Sequence, residues 1–228
     1  MIDTIRLFVG WDKREEEGGL VFLKSLLSRT TQPLELTFLT EAVGERLGIA
    51  SDGTNSFSKI RFVVPWMCGF KGRAIYLDCV DMLLLAPLEE LWALADGSAL
   101  QVAPHDYKTR HPKKYVGEPM EAANLDYPRK NQSSCMIWDN AYYPHRVLTP
   151  EFIAKQPGSF LHRFEWIKDQ GRIGNLPLEW NWLCDEYGDN PEAKLLHWTA
   201  GAPFMAHYKD SPMSNHWHES ARTWHSER

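Results

Sequence analysis

Apolar residues come in short bursts along this chain, and the spacing within each burst names an element. Ile5 to Val9 is an apolar run closed by Gly10, the pattern of a buried strand. From Glu15 to Leu27, residues Leu20, Phe22, Leu23, Leu26 and Leu27 fall at roughly helical spacing, with acids in the first turn where the helix dipole favours them. Leu34 to Leu39 alternates as a second strand. Gly53-Thr54-Asn55-Ser56 reads as a turn or cap before Lys59 to Met67, a helical stretch with a boundary or kink at Pro65. Ala74 to Leu77 is a third strand, Pro87 to Trp92 opens a helix with proline in its first turn, and Ala99 to Ala103 is another strand. This alternation predicts an α/β fold with a mixed, mostly parallel central sheet flanked by helices. No repeat, low-complexity tract or linker divides the 228 residues, so a single domain is expected.

The chemically richest stretch is Arg73-Ala-Ile-Tyr-Leu-Asp78-Cys-Val-Asp81-Met-Leu-Leu-Leu85. A buried strand ends in two carboxylates, and a second apolar run follows at once. Burying an unpaired carboxylate is costly, so acids at the end of a core strand require a cation or strong donors. Ligands of open α/β sheets bind at the carboxyl ends of strands. Two hard oxygen donors there suit Mg²⁺ or Mn²⁺, and such an ion suits a diphosphate. A solvated turn, with Asp chosen for its local backbone hydrogen bonds, fits the spacing equally well.

Composition narrows the field. Apolar content of 43% and charged content of 24% are those of an ordinary globular protein, and a net charge of −5 argues against nucleic-acid binding as the main task. Cys68, Cys79, Cys135 and Cys184 lack metal-ligand spacing and read as buried thiols in a reducing compartment. With no basic leader at the N-terminus and no apolar run long enough for a bilayer, a cytoplasmic protein without a transmembrane segment is expected. Ten Trp and eight Tyr suit either sugar-binding surfaces or core packing. Pro104 to Lys130 is polar and basic, with His105, Lys108, Arg110, His111, Lys113, Lys114, Arg129 and Lys130: a loop over an anionic ligand, or a solvated connection.

Taken together, the segments resemble the GT-A fold glycosyltransferases, most closely the family 8-like group of bacterial and phage proteins. Phe8-Val-Gly10-Trp-Asp12, followed by a Glu-rich helix, is similar to that group's opening strand and nucleotide loop. Phe57 to Pro65 resembles the helix that brings a basic residue towards the donor. Ile75 to Met82, with Leu88-Glu-Glu-Leu-Trp92 after it, resembles the metal-binding acidic motif and its following helix. Asn131 to Asp139 is similar to the strand that floors the donor-sugar site, and Leu176-Pro-Leu-Glu-Trp180-Asn181 to the Leu-Pro-x-x-Trp-Asn segment. Leu196-His197-Trp-Thr-Ala-Gly201-Ala-Pro203-Phe204 resembles the closing His-x-x-Gly motif.

The resemblance implies one GT-A, Rossmann-like domain over 1–228. A nucleotide-binding half would reach about residue 103, a sugar and acceptor half would span about 104–210, and 211–228 would be a tail. The implied activity is that of a metal-dependent hexosyltransferase of the EC 2.4 class. It would move a hexose from a nucleoside-diphosphate sugar, usually a UDP-sugar, to a carbohydrate, lipid or protein acceptor with retention of configuration. Implied metal ligands are Asp78, Asp81 and His197, holding Mn²⁺ (or Mg²⁺). Implied donor contacts are Phe8, Gly10, Asp12, Lys59, Arg61, Asp78, Asp106, Ser133, Ser134 and Gly201. Gln132, Asp169 and Gln170 are the implied catalytic positions. On residue chemistry alone, Lys59 and Arg61 also read as a solvated helix face, Asp106 as a helix cap, and Asp169-Gln170 as a surface turn only five residues before Leu176.

Two departures from the family pattern stand out. The family's acids are spaced Asp-x-Asp, whereas two residues separate Asp78 and Asp81. Residues i and i+3 of a regular strand point to opposite faces, so one metal can be shared only if a bulge or turn forms at Cys79-Val80. The closing motif ends Ala202-Pro203-Phe204 instead of Lys-Pro-Trp, leaving Lys209, Arg61 or the basic loop to supply a phosphate-binding cation. The alternatives are an inactive sugar-nucleotide-binding relative and a GT-A-fold nucleotidyltransferase. His216-Trp-His218 reads as part of a frayed tail.

Overall fold

The computed structural model describes residues 3–51, 53 and 55–226, with side chains to residue 222. Thr54 of the expected Gly53–Ser56 turn lies outside the described residues.

The first half alternates as its hydrophobic pattern requires. Strand β1 (Ile5–Gly10) leads into helix α1 (Glu16–Arg29), then strand β2 (Leu34–Leu39) and helix α2 (Glu41–Leu47). A 3₁₀ turn over Ile60–Val63 runs into α3 (Val64–Met67), where Pro65 occupies the first turn and so breaks no hydrogen bond. The acid-bearing strand β3 (Arg73–Leu77) follows, then β4 (Met82–Leu84), α4 (Leu88–Ala93) and β5 (Leu100–Val102). The second half contributes a hairpin, β6 (Lys113–Lys114) with β7 (Ala122–Ala123), and strands β8 (Cys135–Asp139), β9 (Ile173–Asn175), β10 (Trp182–Leu183) and β11 (Leu195–His197). Its helices are α5 (Pro150–Lys155), α6 (Gly158–His162), α7 (Cys184–Tyr187) and α8 (Ser214–Ser226).

The central sheet has the order β2-β1-β3-β8-β5-β9. β1 is parallel to both β2 and β3, β5 is parallel to β9, and β8 runs antiparallel between β3 and β5. Its middle strands are buried on both faces, as helix-covered parallel strands must be. The fold is therefore the mixed, mostly parallel α/β sheet flanked by helices that the pattern predicts. The run after Asp81 does not stay in that sheet. β4 leaves it and joins a second sheet of order β10-β11-β4, so the acid turn sits where the two sheets meet.

One feature departs from expectation. His216-Trp-His218, read as part of a frayed tail, lies in helix α8, which packs against α1 with Trp217 buried beside Val21, Leu83 and Trp198. Of the two uses open to the tryptophans, Trp138, Trp180 and Trp198 serve core packing, being among the largest buried side chains, while Trp66 is exposed. Cys79, Cys135 and Cys184 are buried, Cys68 is half-buried, and all four are free thiols. Among the described residues no helix is long and apolar enough to cross a membrane.

Candidate active site

β3 ends at Leu77, in register with Val9 of β1, and the chain then turns sharply. Val80 N donates to Asp78 O (2.8 Å) and Met82 N to Cys79 O (3.1 Å), with Cys79 in the left-handed region at φ 58°. This is the local turn that the Asp-x-x-Asp spacing demands. It cancels the strand alternation and brings Asp78 and Asp81 to the same side. Gly18 of α1 lets the helix approach the turn, since a Cβ there would stand 1.9 Å from Val80 O. Cys79 Sγ donates to Gly10 O (3.1 Å), tying the turn to the end of β1.

His197 reaches the acids by strand register. It pairs with Met82 across β11 and β4, and Trp198 N donates to Asp81 O (2.9 Å). Ligand atoms of Asp78, Asp81 and His197 all lie within 4.8 Å of one another, and all three residues are buried. His197 Nε2 is 3.4 Å from Asp81 Oδ2. Its Nδ1 lies 2.8 Å from Asn181 Oδ1, and Asn181 Nδ2 donates to Asn131 O and Ser134 Oγ (3.0 Å each). With the amide so oriented, Oδ1 is the acceptor, the Nδ1 of His197 carries the hydrogen, and Nε2 is left facing the acids.

Buried carboxylates crowd this site. Asp81 Oδ1 is buried with no hydrogen-bond partner. Burial pushes the Asp78 carboxyl up, against the pull of Arg61, whose Nη1 stands 2.7 Å from Asp78 Oδ1; Tyr76 also donates to that oxygen (2.9 Å). Burial pulls the His197 imidazole down, but Asp81 and the other nearby acids outweigh it and hold the ring above its usual range. Glu15 is fully buried nearby, with Asn55 Nδ2 donating to its Oε2 (3.2 Å). Burial, then the Asp81 charge, raises its carboxyl to about 8. Two hard carboxylates, one with an orphaned oxygen, plus an imidazole fixed through its far nitrogen, form a donor set that could hold a divalent metal ion.

The cluster opens into a cavity of about 810 Å³. Of the residues singled out in the sequence, Arg61, Asp78, Asp81, Ser133, Ser134 and His197 line it, as do Lys114 and Lys130 of the basic run. Ser133 Oγ is 2.7 Å from Nδ1 of His162, another lining residue. Burial drives that imidazole down to about 3, so it is neutral.

The remaining implied positions lie outside the cavity lining. Phe8 is buried in β1, and Gly10 makes room for Phe57 and Tyr76, each of which would stand 2.6 Å from a Cβ there. Asp12 receives Arg14 through two side-chain hydrogen bonds and accepts from Ser56 N (3.0 Å), so it anchors a loop. Lys59 Nζ donates to Ala154 O (3.1 Å), which makes it a buried packing contact to α5. Asp106 is exposed. Gln132 accepts from Arg129 Nη1 (3.1 Å), and the same guanidinium reaches Gln170 Oε1 (2.8 Å) on an exposed turn capped by Asp169. Gly201 packs under the Tyr208 ring, 2.2 Å from where its Cβ would be. Lys209, offered as a replacement cation, is exposed beside Asp210. Glu15, Asn55 and Tyr115 were hidden from sequence reasoning: Glu15 is one acid among several at a helix start, and the other two lie in segments without periodicity.

No protein-family model matches the chain. A protein of Arabidopsis thaliana called Protein CDI is 32% identical over 223 residues, 93% of this chain and 84% of that protein. Among solved structures, the fold is similar to the bifunctional glycosyltransferase WbbM (TM-score 0.65, 9% identity, covering 97% of this chain and 50% of that one). It is also similar to the glycosyltransferase GlyE of Streptococcus pneumoniae TIGR4 (0.61, 14% identity, 99% and 64%). A third is the galactosyltransferase LgtC, solved in complex with donor and acceptor sugar analogues (0.56, 10% identity, 96% of each chain). The chain thus spans about half of WbbM and under two thirds of GlyE. At these identities the likeness establishes the fold, the one GT-A glycosyltransferases share.

Proposed function

The chain belongs to the family of the Arabidopsis thaliana Protein CDI, and from that footing and its GT-A fold we propose that it is a metal-dependent glycosyltransferase. It would move a hexose from a nucleoside-diphosphate sugar, UDP being the expected base, to an acceptor hydroxyl. The observation that carries this reading is the Asp78–Asp81–His197 cluster, with its orphaned Asp81 oxygen, at the wall of a cavity of about 810 Å³.

Asp78, Asp81 and His197 would hold the ion. When bound, it neutralises charge on the two phosphates and so makes the nucleoside diphosphate a better leaving group. The surrounding residues keep that site in order. Arg61 and Tyr76 fix the Asp78 carboxylate in one orientation, and Asn181 fixes the ring of His197. The backbone at Ser133 and Ser134 is pinned by Arg61 and by Asp78 N, which places the Ser133 hydroxyl near the cavity surface. Apart from Asp78 and Asp81, the carboxylate lining the cavity is Asp126, half exposed and 3.4 Å from Lys130 Nζ. That is a poor nucleophile, which favours attack by the acceptor from the face the diphosphate leaves, and an α-linked product from an α-linked donor.

Release of UDP from a UDP-sugar, with and without chelator, tests the reading. Metal-dependent release supports a transferase. Binding without turnover across sugars and acceptors would point to an inactive relative, and pyrophosphate release from a nucleoside triphosphate to a nucleotidyltransferase.

A further inference from the structure

Four cations line the cavity: Arg61, Lys114, Lys130 and Arg163. Three are engaged. Arg61 is held by Asp78 and by Ser133 O (2.7 and 3.1 Å), Lys130 Nζ lies 3.4 Å from Asp126 Oδ1 and 5.7 Å from the Tyr107 ring, and Arg163 Nη1 lies 3.7 Å from Glu165 Oε1. Lys114 is different. Among the described residues its ammonium has no hydrogen-bond or ion-pair partner, and its one described contact is the Tyr115 ring, 5.3 Å away. Lys114 lines the same cavity as Asp78 and Asp81. Burial holds its amine below the ordinary lysine range, helped by the like charge of Lys130 and opposed by the fields of Asp81, Glu15 and Asp78.

The backbone beneath it is fixed. Lys114 pairs with Ala122 across the β6–β7 hairpin, and Tyr115 N donates to Ala200 O (2.7 Å) just past the His197 strand. The Tyr115 side chain is buried, and Asn55 Nδ2 donates to its hydroxyl (3.3 Å). A half-buried, unpaired ammonium delivered on a pinned hairpin is an unsatisfied group that an anion would complete. The charge balance agrees. A divalent ion would offset Asp78 and Asp81, Asp126 offsets Lys130, and Glu165 offsets Arg163, which leaves Arg61 and Lys114. Two positive charges remain for the two negative charges of a nucleoside-diphosphate sugar.

We propose that Lys114 binds the diphosphate of the donor and stabilises the charge that develops on it as it leaves, the cation being supplied by the β6–β7 hairpin instead of the segment after His197. This rests on the glycosyltransferase reading above. In the step, the bond from the anomeric carbon to the diphosphate oxygen breaks and its electron pair stays on that oxygen. The acceptor oxygen bonds to the anomeric carbon, and the acceptor proton passes to the departing diphosphate. Lys114 keeps its protons and donates a hydrogen bond throughout.

Calorimetric titration of UDP and of UMP in Mn²⁺, on wild type, Lys114→Met, Lys114→Arg and Lys113→Met, tests this. Lys113 is exposed and paired with Glu121, so its variant controls for a change on the same strand. The expected result is a loss of at least tenfold in UDP affinity for Lys114→Met, a smaller loss for UMP, recovery in Lys114→Arg and no change in Lys113→Met. Unchanged UDP binding by Lys114→Met, or equal losses for UDP and UMP, would overturn the assignment while leaving the transferase reading in place. A wild-type protein that binds neither UDP nor GDP in any divalent metal would overturn both.

Discussion

Asp81 turns one carboxylate oxygen towards His197 Nε2, 3.4 Å away, and keeps the other buried without a partner. The His197 ring meets one of the two carboxylate oxygens at most. A divalent ion between Asp78, Asp81 and His197 would satisfy the whole of it.

The orientation of His197 depends on one amide. Asn181→Leu removes the acceptor for Nδ1 and frees the ring to rotate. Loss of such an outer partner costs roughly 10–100-fold in metal affinity. Mn²⁺ titration of the variant is expected to fall in that range with the fold intact by circular dichroism; unchanged affinity would show that Asn181 has no part in the site.

Glu15 makes metal-free stability fall as pH rises. Its folded value of about 8 lies above its ordinary 4.5, so the folded state binds the proton more tightly. The sign follows directly: stability is greatest below about 4.5 and is lost as pH rises through 8. His197 adds to this slope, because its folded value is also raised. In chelator, Glu15→Gln is expected to melt higher than wild type at pH 9 and to differ little at pH 5. A wild-type melting temperature flat between those pH values contradicts the assignment.

Arg61 holds two buried groups, the Asp78 carboxylate and the Ser133 carbonyl. Arg61→Met leaves the buried Asp78 carboxylate without its guanidinium and Ser133 O without a donor. Removing one partner of a buried pair costs about 3–5 kcal/mol. Urea unfolding in chelator is expected to show that loss, and Mn²⁺ is expected to restore part of it by replacing the lost charge. A loss below about 1 kcal/mol, within the range of exposed pairs, would mean that Asp78 is solvated.

Gly18→Ala tests the contact between helix and acid turn. A methyl group 1.9 Å from Val80 O forces α1 or the turn to move. Overpacking of this kind costs about 1–3 kcal/mol. Because the moved atom lies between Asp78 and Asp81, Mn²⁺ affinity is expected to fall together with stability; a loss of stability alone would show that the turn does not set the metal geometry.

How much of this was legible in the sequence follows from where information is local. β1 and β3 could be read from their apolar runs because central parallel strands are buried on both faces, and the edge strand β2 from its alternation. Helix α2 could not, since it buries little and is defined by its ends: Thr40 accepts from Val43 N at one, and Gly48 at φ 69° closes the other. The tail failed for a different reason. The pattern of α8 becomes meaningful only against α1, far away in sequence. At the site, Asp78 and Asp81 drew notice as acids at the end of a core strand, and the need for a turn at Cys79-Val80 followed from strand geometry; His197, one of nine histidines, was singled out only by its place in the segment that resembles the closing His-x-x-Gly motif. Phe8, Gly10, Asp12 and Lys59 fell in the right segments but point into packing. Strand phase and loop closure, which decide such matters, are long-range properties. Lys114 could be seen in the sequence only as one cation in a basic run.

The central claim is a metal-dependent nucleotide site built on Asp78, Asp81 and His197. Titration of UDP in Mn²⁺ and in EDTA, on wild type and Asp81→Ala, tests it most directly. Binding that requires the metal and disappears in the variant is the expected result. UDP binding of equal strength in EDTA, or undiminished in Asp81→Ala, would contradict it.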